Sequence, residues 1–334
     1  MKPNKKAIIA ISQIILIIIA LIFIFIYPVS KKPEYIRNQG KAQGTYYSVV
    51  YLQPEGQDLQ REIDSLFAVI DNSLSTFNPN SIISRINRND TTVFTDLYFE
   101  TMYTVAQQVS EKTGGAFDIT VAPLVNAWGF GFGNRERKQM PDIDTILPYI
   151  GYRKIRLENH RLIKDDLRIM LDASAIAKGY SADLIAQLLE AKGCENYMVE
   201  IGGEIVCKGK NPKGKKWTIA IDMPIDNQNN TREKFQDTLY ISNSGLATSG
   251  NYRQFYYLDD KKYSHTIDPR SGYPVSHNLL SLTVIAPTCI QADAFATAFL
   301  VMGADSALAL CNQIPEIECY LILTDTVKMS DNFK

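Results

Sequence analysis

The chain is poor in the residues that most often carry chemistry. Its 334 residues include three histidines and five cysteines, and no two cysteines form a C-x-x-C pair. Cys194, Cys207, Cys289, Cys311 and Cys319 are odd in number and irregularly spaced. That excludes a zinc ribbon or a disulfide framework and reads as buried apolar residues, with one disulfide left open. Neither sign of charge dominates: 35 Lys and Arg against 36 Asp and Glu give a net charge of −1. A general nucleic-acid surface needs a basic excess, so no nucleic-acid partner is expected. The chain has no G-x-x-x-x-G-K-[ST], and Trp128-Gly129-Phe130-Gly131-Phe132-Gly133 is not a G-x-G-x-x-G following a strand. Neither a P-loop nor a Rossmann site is supported. Internal repeats are missing too. What remains, 46% hydrophobic and 21% charged, is ordinary globular composition.

One long hydrophobic run stands apart. Lys2, Lys5 and Lys6 precede about 21 residues without a charge, Ala7 to Tyr27, which is long enough to cross a bilayer. No A-x-A site follows, and no cysteine stands near its end for a lipid anchor. The expected organisation is a membrane anchor over 1–30, a polar linker over 31–39, and one domain over 40–334. Lys31, Lys32 and Arg37 nearly balance the three leading lysines, so charge does not set the orientation.

Within the domain, Thr45 to Leu52 reads as a strand. Leu59, Ile63, Leu66, Phe67, Ile70 and Leu74 form a helical stripe. Ile82 to Asn87 is a short helix, and Leu97 to Lys112 a longer one capped by Thr95 or Asp96 and stopped by Gly114-Gly115. Arg168 to Leu171 reads as a strand leading through a small-residue loop into a helix that stops at Gly193. Tyr197 to Ile201 and Glu204 to Cys207 flank Gly202-Gly203 as a hairpin. Trp217 to Asp222, Leu239 to Ser242, Ser281 to Ala286 and Tyr320 to Leu323 are further strands, with a helix near Asp305 to Cys311. Helices in the first half and strands in the second indicate an α+β fold rather than a doubly wound sheet.

The stretch from Ser264 to Thr297 organises the rest. It opens on a turn-rich loop, Ser264-His265-Thr266-Ile267-Asp268-Pro269, and closes on a helix starting near Cys289, where Thr288 and Gln291 fit a capping box. From Ala292 to Met302 only Asp293 and Thr297 are polar, one above the other on a buried helix. A buried carboxylate needs a partner. It and a hydroxyl are hard oxygen donors of the kind Mg²⁺ takes beside substrate phosphates; an ion pair with a lysine or arginine is the alternative. Lys178, after the small-residue loop, lies either against a phosphate at a helix N-terminus or in solvent. The glycine–aromatic segment 128–133 stacks on a planar ring or on the next core element.

Several of these pieces stand in one order: Ser75-Thr76-Phe77 with Ser81, Ser84 and Asn87; Gly115-Ala116-Phe117-Asp118; Asp172 to Tyr180; Gly202-Gly203; Ala247 to Tyr252; Ser264 to Pro269 with Gly272; and Ala292-Asp293-Ala294 with Thr297. Together they resemble the ApbE flavin transferases over roughly Gly40 to Leu323. The resemblance implies a single α+β catalytic domain with a T-fold-like sheet core, here behind an N-terminal transmembrane helix. It implies an Mg²⁺-dependent transferase that moves FMN from FAD to a threonine of a target protein and releases AMP. It also implies Asp293, Thr297 and the Ala175 carbonyl as Mg²⁺ ligands, with His265 as the base toward the acceptor threonine and Asp293 and Lys178 at the reacting diphosphate. Gln43, Phe77, Ala116, Phe117, Asp118, Asp172, Lys178 and Ile267 would line the flavin nucleotide, and Asp268 would shape the His265 loop. Where Gln43 stands the family often has methionine, and near Ser174-Ala175 it often has Gly-Gly or Gly-Thr. The implied acceptors are membrane redox subunits such as those of ion-pumping NADH:quinone reductase or Rnf-type complexes. The implied place is a bacterial inner membrane, with the catalytic domain on the periplasmic side. No D-G-x-T acceptor motif occurs, so the chain reads as modifier rather than target. An FAD pyrophosphatase and a non-enzymatic, membrane-tethered flavin-binding protein are the alternatives. His160 and His277 read as ordinary residues.

Overall fold

The computed structural model describes residues 34–131, 140–224, 235–252, 255–258 and 261–333, with Gln13 on its own. The chain divides into two units, Met1–Glu34 and Tyr35–Lys334. Gln13 apart, the apolar run from Ala7 to Tyr27 lies outside the described residues; no described helix is long and apolar enough to cross a membrane.

In chain order the second unit runs β1 (Tyr35–Ala42), β2 (Thr45–Leu52), α1 (Gln60–Leu74), α2 (Ile82–Asn87), α3 (Leu97–Lys112), α4 (Ala122–Ala127), α5 (Ile143–Ile146), β3 (Ile155–Glu158), β4 (Arg161–Lys164), α6 (Ala177–Ala191), β5 (Tyr197–Ile201), β6 (Glu204–Lys208), β7 (Trp217–Asp222), β8 (Phe235–Ile241), β9 (Ser244–Gly250), β10 (Phe255–Leu258), β11 (Lys261–Ser264), β12 (Leu279–Ala286), α7 (Cys289–Met302), α8 (Ala304–Cys311), β13 (Glu318–Leu323) and β14 (Val327–Met329). Eight strands form one sheet in the order β1-β2-β5-β6-β9-β12-β13-β14, and every neighbouring pair is antiparallel.

Side chains alternate across a strand, so each strand feeds two cores. Tyr47, Val49 and Tyr51 of β2, and Val199 and Ile201 of β5, point to the face covered by α1 and α6. Leu282, Val284 and Leu321 join the packing around α7 on that same side. Val50, Ile205, Leu246, Ile285, Tyr320 and Ile322 point the other way, onto Trp217, Ile219, Ile221, Leu239 and Ile241 of the β7–β8 hairpin. A sheet covered on both faces explains why β12 is almost wholly buried.

The expected elements largely form where their patterns lie. Ser81 caps α2 by accepting from the Ser84 amide, and Asp96 caps α3 by accepting from the Phe99 amide. Three readings need correction. Residues 35–39, read as linker, belong to β1, an edge strand whose polar residues face water or, like Asn38, are paired: Asn38 Oδ1 accepts from Tyr51 and its Nδ2 donates to Asp58. Arg168 to Leu171 makes only a single parallel bridge, Met170 to Val121, because its backbone is claimed by side chains instead. Asn87 accepts from the Leu171 amide and donates to the Leu171 carbonyl. Finally, Thr288 is the N-cap of α7 but makes no capping bond to backbone; its hydroxyl donates to the Gln291 side chain.

Candidate active site

The site assembles where two hairpin tips meet the start of α6 beside α7. Gln43-Gly44 turns β1 into β2 with both residues at positive φ, the two-residue turn that suits strand twist. Gly202-Gly203 turns β5 into β6, and the Gly202 amide donates to the Tyr46 carbonyl, which sets the tips side by side. Gln43 Nε2 lies 2.6 Å from the Ser181 hydroxyl on α6. Because that hydroxyl donates to the Ala177 carbonyl, it must accept from Gln43, which fixes the orientation of the amide.

α6 begins at Ala177, so Lys178 sits in its first turn, at the helix N-terminus. Its N-cap, Ile176, supplies no side-chain cap. Asp293 on α7 is 3% exposed, and its Oδ2 accepts from the Gly179 amide at 3.0 Å. Gly179 is the third residue of α6, so its amide has no partner within the helix and Asp293 satisfies it. The Ala175 carbonyl, just before the N-cap, has no backbone donor among the described residues. Thr297, one turn beyond Asp293, has its hydroxyl 3.4 Å from that of Ser249 on β9. A carboxylate, a hydroxyl and a loop carbonyl without a backbone donor are hard oxygen donors that fit Mg²⁺, which takes its remaining ligands from water and phosphate. Among the described residues no group of three His, Cys, Asp or Glu offers an all-protein cage.

Two acidic residues that the sequence reading passed over complete the arrangement. Glu204, the first residue of β6, is 5% exposed, and its Oε1 stands 2.9 Å from Lys178 Nζ. Burial pushes the Glu204 carboxyl up, Lys178 pulls it back, and Asp293 adds to the rise. Burial likewise opposes the Lys178 charge, but Asp293 and Glu204 outweigh it and hold the ammonium above its ordinary range. Lys178 therefore stays charged, with the Glu204 and Asp293 carboxyl groups beside it. The second residue, Asp183 on α6, accepts from the amides of Cys289 (2.9 Å) and Ile290 (2.8 Å) and so caps α7 from the neighbouring helix. The sequence signal for Glu204 was an acid opening an otherwise apolar strand right after Gly-Gly; for Asp183 there was none, because its partners lie 106 and 107 residues away.

The remaining expected residues form the surroundings. Asp172 donates its amide to Ile119 and accepts from Ser174, which ties the loop before α6 to the Ala116–Asp118 segment. Ala116 and Phe117 are buried. Asp118 is buried as well and accepts from the Thr120 amide and hydroxyl and from the Tyr152 amide; burial raises its pKa against those bonds. It is held as a turn-builder. Phe77 is 68% exposed on a loop pinned by Ser81 and Ser84, both donating to the Ser75 carbonyl.

His265 follows β11, its ring edge-on to Phe130 at 6.3 Å. Trp128 and Phe130 stack on Tyr263 and Tyr256, so these aromatics pack as core; Phe132 and Gly133 lie outside the described residues. Ile267 is buried and bridges to Pro274. Asp268 does shape the loop: it accepts from the Arg270 amide and pairs with its guanidinium. Gly272 at φ 78° is required, since a Cβ there would stand 2.4 Å from Ile143. His160 pairs with Glu100, and His277 bonds the Leu300 carbonyl. All five cysteines are free and buried.

The chain as a whole is similar to known proteins. The FAD:protein FMN transferase of Haemophilus influenzae is 36% identical over 324 residues, covering 91% of this chain and 92% of that one. The one from Escherichia coli is 34% identical, covering 89% and 85%. The solved structure of the flavin transferase ApbE from Vibrio cholerae superposes with a TM-score of 0.81 at 35% identity, covering 90% of this chain and 98% of that one. The apo flavinyl transferase ApbE of Pseudomonas stutzeri gives 0.78 at 28% identity, covering 90% and 97%. With the ApbE family model matching residues 43–321, the chain belongs to the ApbE family.

Proposed function

We propose that the protein is an Mg²⁺-dependent FAD:protein FMN transferase that moves FMN from FAD to a threonine hydroxyl of a target protein and releases AMP. The observation that carries this reading is buried Asp293, which accepts from the Gly179 amide in the first turn of α6 and stands close enough to Lys178 to hold its charge. Bound there, Mg²⁺ would neutralise diphosphate charge. Lys178 binds a phosphate oxygen and Glu204 keeps the lysine in place. The start of α6, whose N-cap Ile176 supplies no side-chain acceptor, faces the same anion. The acceptor hydroxyl bonds to the phosphorus on the riboflavin side and the bridging P–O bond breaks. AMP leaves with the electron pair, and His265 takes the hydroxyl proton.

We further propose that Phe77, Ala116, Phe117, Asp118, Asp172, Ile267 and Gln43 border the nucleotide, and that the target is a membrane redox subunit. The uncharged run from Ala7 to Tyr27 supports membrane placement, with the catalytic unit on the outer side of the inner membrane. Co-expression with such an acceptor, followed by mass spectrometry, should show FMN added to one threonine. Asp293→Ala should lower labelling by about 100-fold or more, the size expected when an electrostatic stabiliser of a transition state is removed. AMP release at an equal rate without acceptor would instead mark a hydrolase. Intact FAD after long incubation would mark a binding protein.

A further inference from the structure

Two hydrogen-bond acceptors at the adjoining hairpin tips have no donor. Glu204 Oε2 and Gln43 Oε1 are both buried and both lack a partner among the described residues. For Gln43 this is no accident of amide assignment, because the Ser181 hydroxyl already requires the NH₂ group on its side. For Glu204, Oε1 is taken by Lys178 while Oε2, in a side chain 5% exposed, accepts no hydrogen bond from another residue among those described. Orphaned buried acceptors cost stability, most of all on a charged group, and persist where a ligand supplies the donor. Phosphate offers only acceptors, and a carboxylate repels it. The donor that Glu204 awaits therefore sits beside the diphosphate, not on it. In a flavin dinucleotide the donors flanking the diphosphate are sugar hydroxyls, and a carboxylate is a well-matched partner for a sugar hydroxyl.

Resting on the transferase reading above, we infer that Glu204 is a substrate-binding residue: Oε1 positions Lys178 at the diphosphate, and Oε2 accepts a hydrogen bond from a hydroxyl of the adjoining ribityl or ribose chain. Gln43 Oε1, at the neighbouring tip, accepts from the same part of the ligand. One carboxylate thus couples recognition of the sugar to placement of the cation on the phosphates.

The full-length protein should be titrated with FAD, FMN and ADP, in wild type and Glu204→Gln, with unfolding midpoints measured in parallel. The variant should bind FAD about 10-fold or more weakly, as for loss of a hydrogen bond to a charged group. FMN falling with ADP unchanged assigns the ribityl hydroxyl; ADP falling with FMN unchanged assigns the ribose. Gln43→Met removes the neighbouring acceptor without disturbing a buried charge, and should weaken the same ligand even if Glu204→Gln fails to fold. Wild-type affinity of both variants for all three ligands overturns the inference. So does an equal loss on all three, the signature of a displaced lysine alone. Failure of the wild type to bind FAD would instead overturn the transferase reading itself.

Discussion

Asp183 ties together the two helices that carry Lys178 and Asp293. Its carboxylate takes the first two amides of α7, and α7 places Asp293 one turn later. Burial pushes the Asp183 pKa up to about 6 despite those two bonds, with Asp293 adding to the rise. An acid whose pKa is raised on folding stabilises the fold fully below its unfolded value, and loses that contribution as pH climbs through the folded value. The window runs from about pH 4 to about pH 6, and the rise from 3.8 to about 6 corresponds to about 3 kcal/mol. Urea unfolding of the protein without added divalent ion should therefore show stability falling across that window. In Asp183→Asn the fall should vanish, because the amide does not titrate. Equal pH slopes in variant and wild type would show that Asp183 does not titrate there.

At the scale of elements, the site depends on how closely α6, α7 and β9 approach. A Cβ on Gly179 would stand 2.3 Å from the Cys289 carbonyl and 2.7 Å from the Asp293 Cβ; one on Gly245 of β9 would stand 2.3 Å from the Cys289 amide nitrogen. Both contacts are against backbone, which cannot swing aside. Gly179→Ala should cost about 1–3 kcal/mol by overpacking and should also break the Gly179–Asp293 bond. Chemical denaturation and Mg²⁺ titration of the same variant check the two effects; wild-type values in both would mean that α6 and α7 shift apart without consequence.

These contacts also explain what the sequence could and could not tell. The period of α1, the cap of α3 and the extents of β2 and β7 are local, and all of them are legible. So is the pairing of Asp293 with Thr297, since four residues span one helical turn. Asp183 and Glu204 were illegible because their meaning lies in groups distant in sequence: two α7 amides for one, Lys178 for the other. The segment 168–171 misled for the same reason, as its strand-like residues bond to Asn87 rather than to a neighbouring strand.

At the scale of the whole molecule, the boundary of the folded unit decides what a truncated chain retains. Tyr35–Lys334 holds the entire eight-stranded sheet and every residue placed at the site. A chain starting at Glu34 should therefore match the full-length protein in urea midpoint and in labelling of a soluble acceptor, losing only its apolar leader. A start at Gly44 is a different matter, although the sequence alone made residues up to 39 look dispensable. It removes β1 and Gln43 and bares the β2 edge. It also cuts a buried relay in which the Leu59 amide donates to the Tyr51 hydroxyl, which donates to Asn38. Loss of the Asn38 acceptor alone costs about 1–3 kcal/mol, and a newly exposed strand edge invites association. Sedimentation and denaturation of the two chains side by side test this: the shorter one should be markedly less stable and self-associating, and equal behaviour would return β1 to the status of a linker.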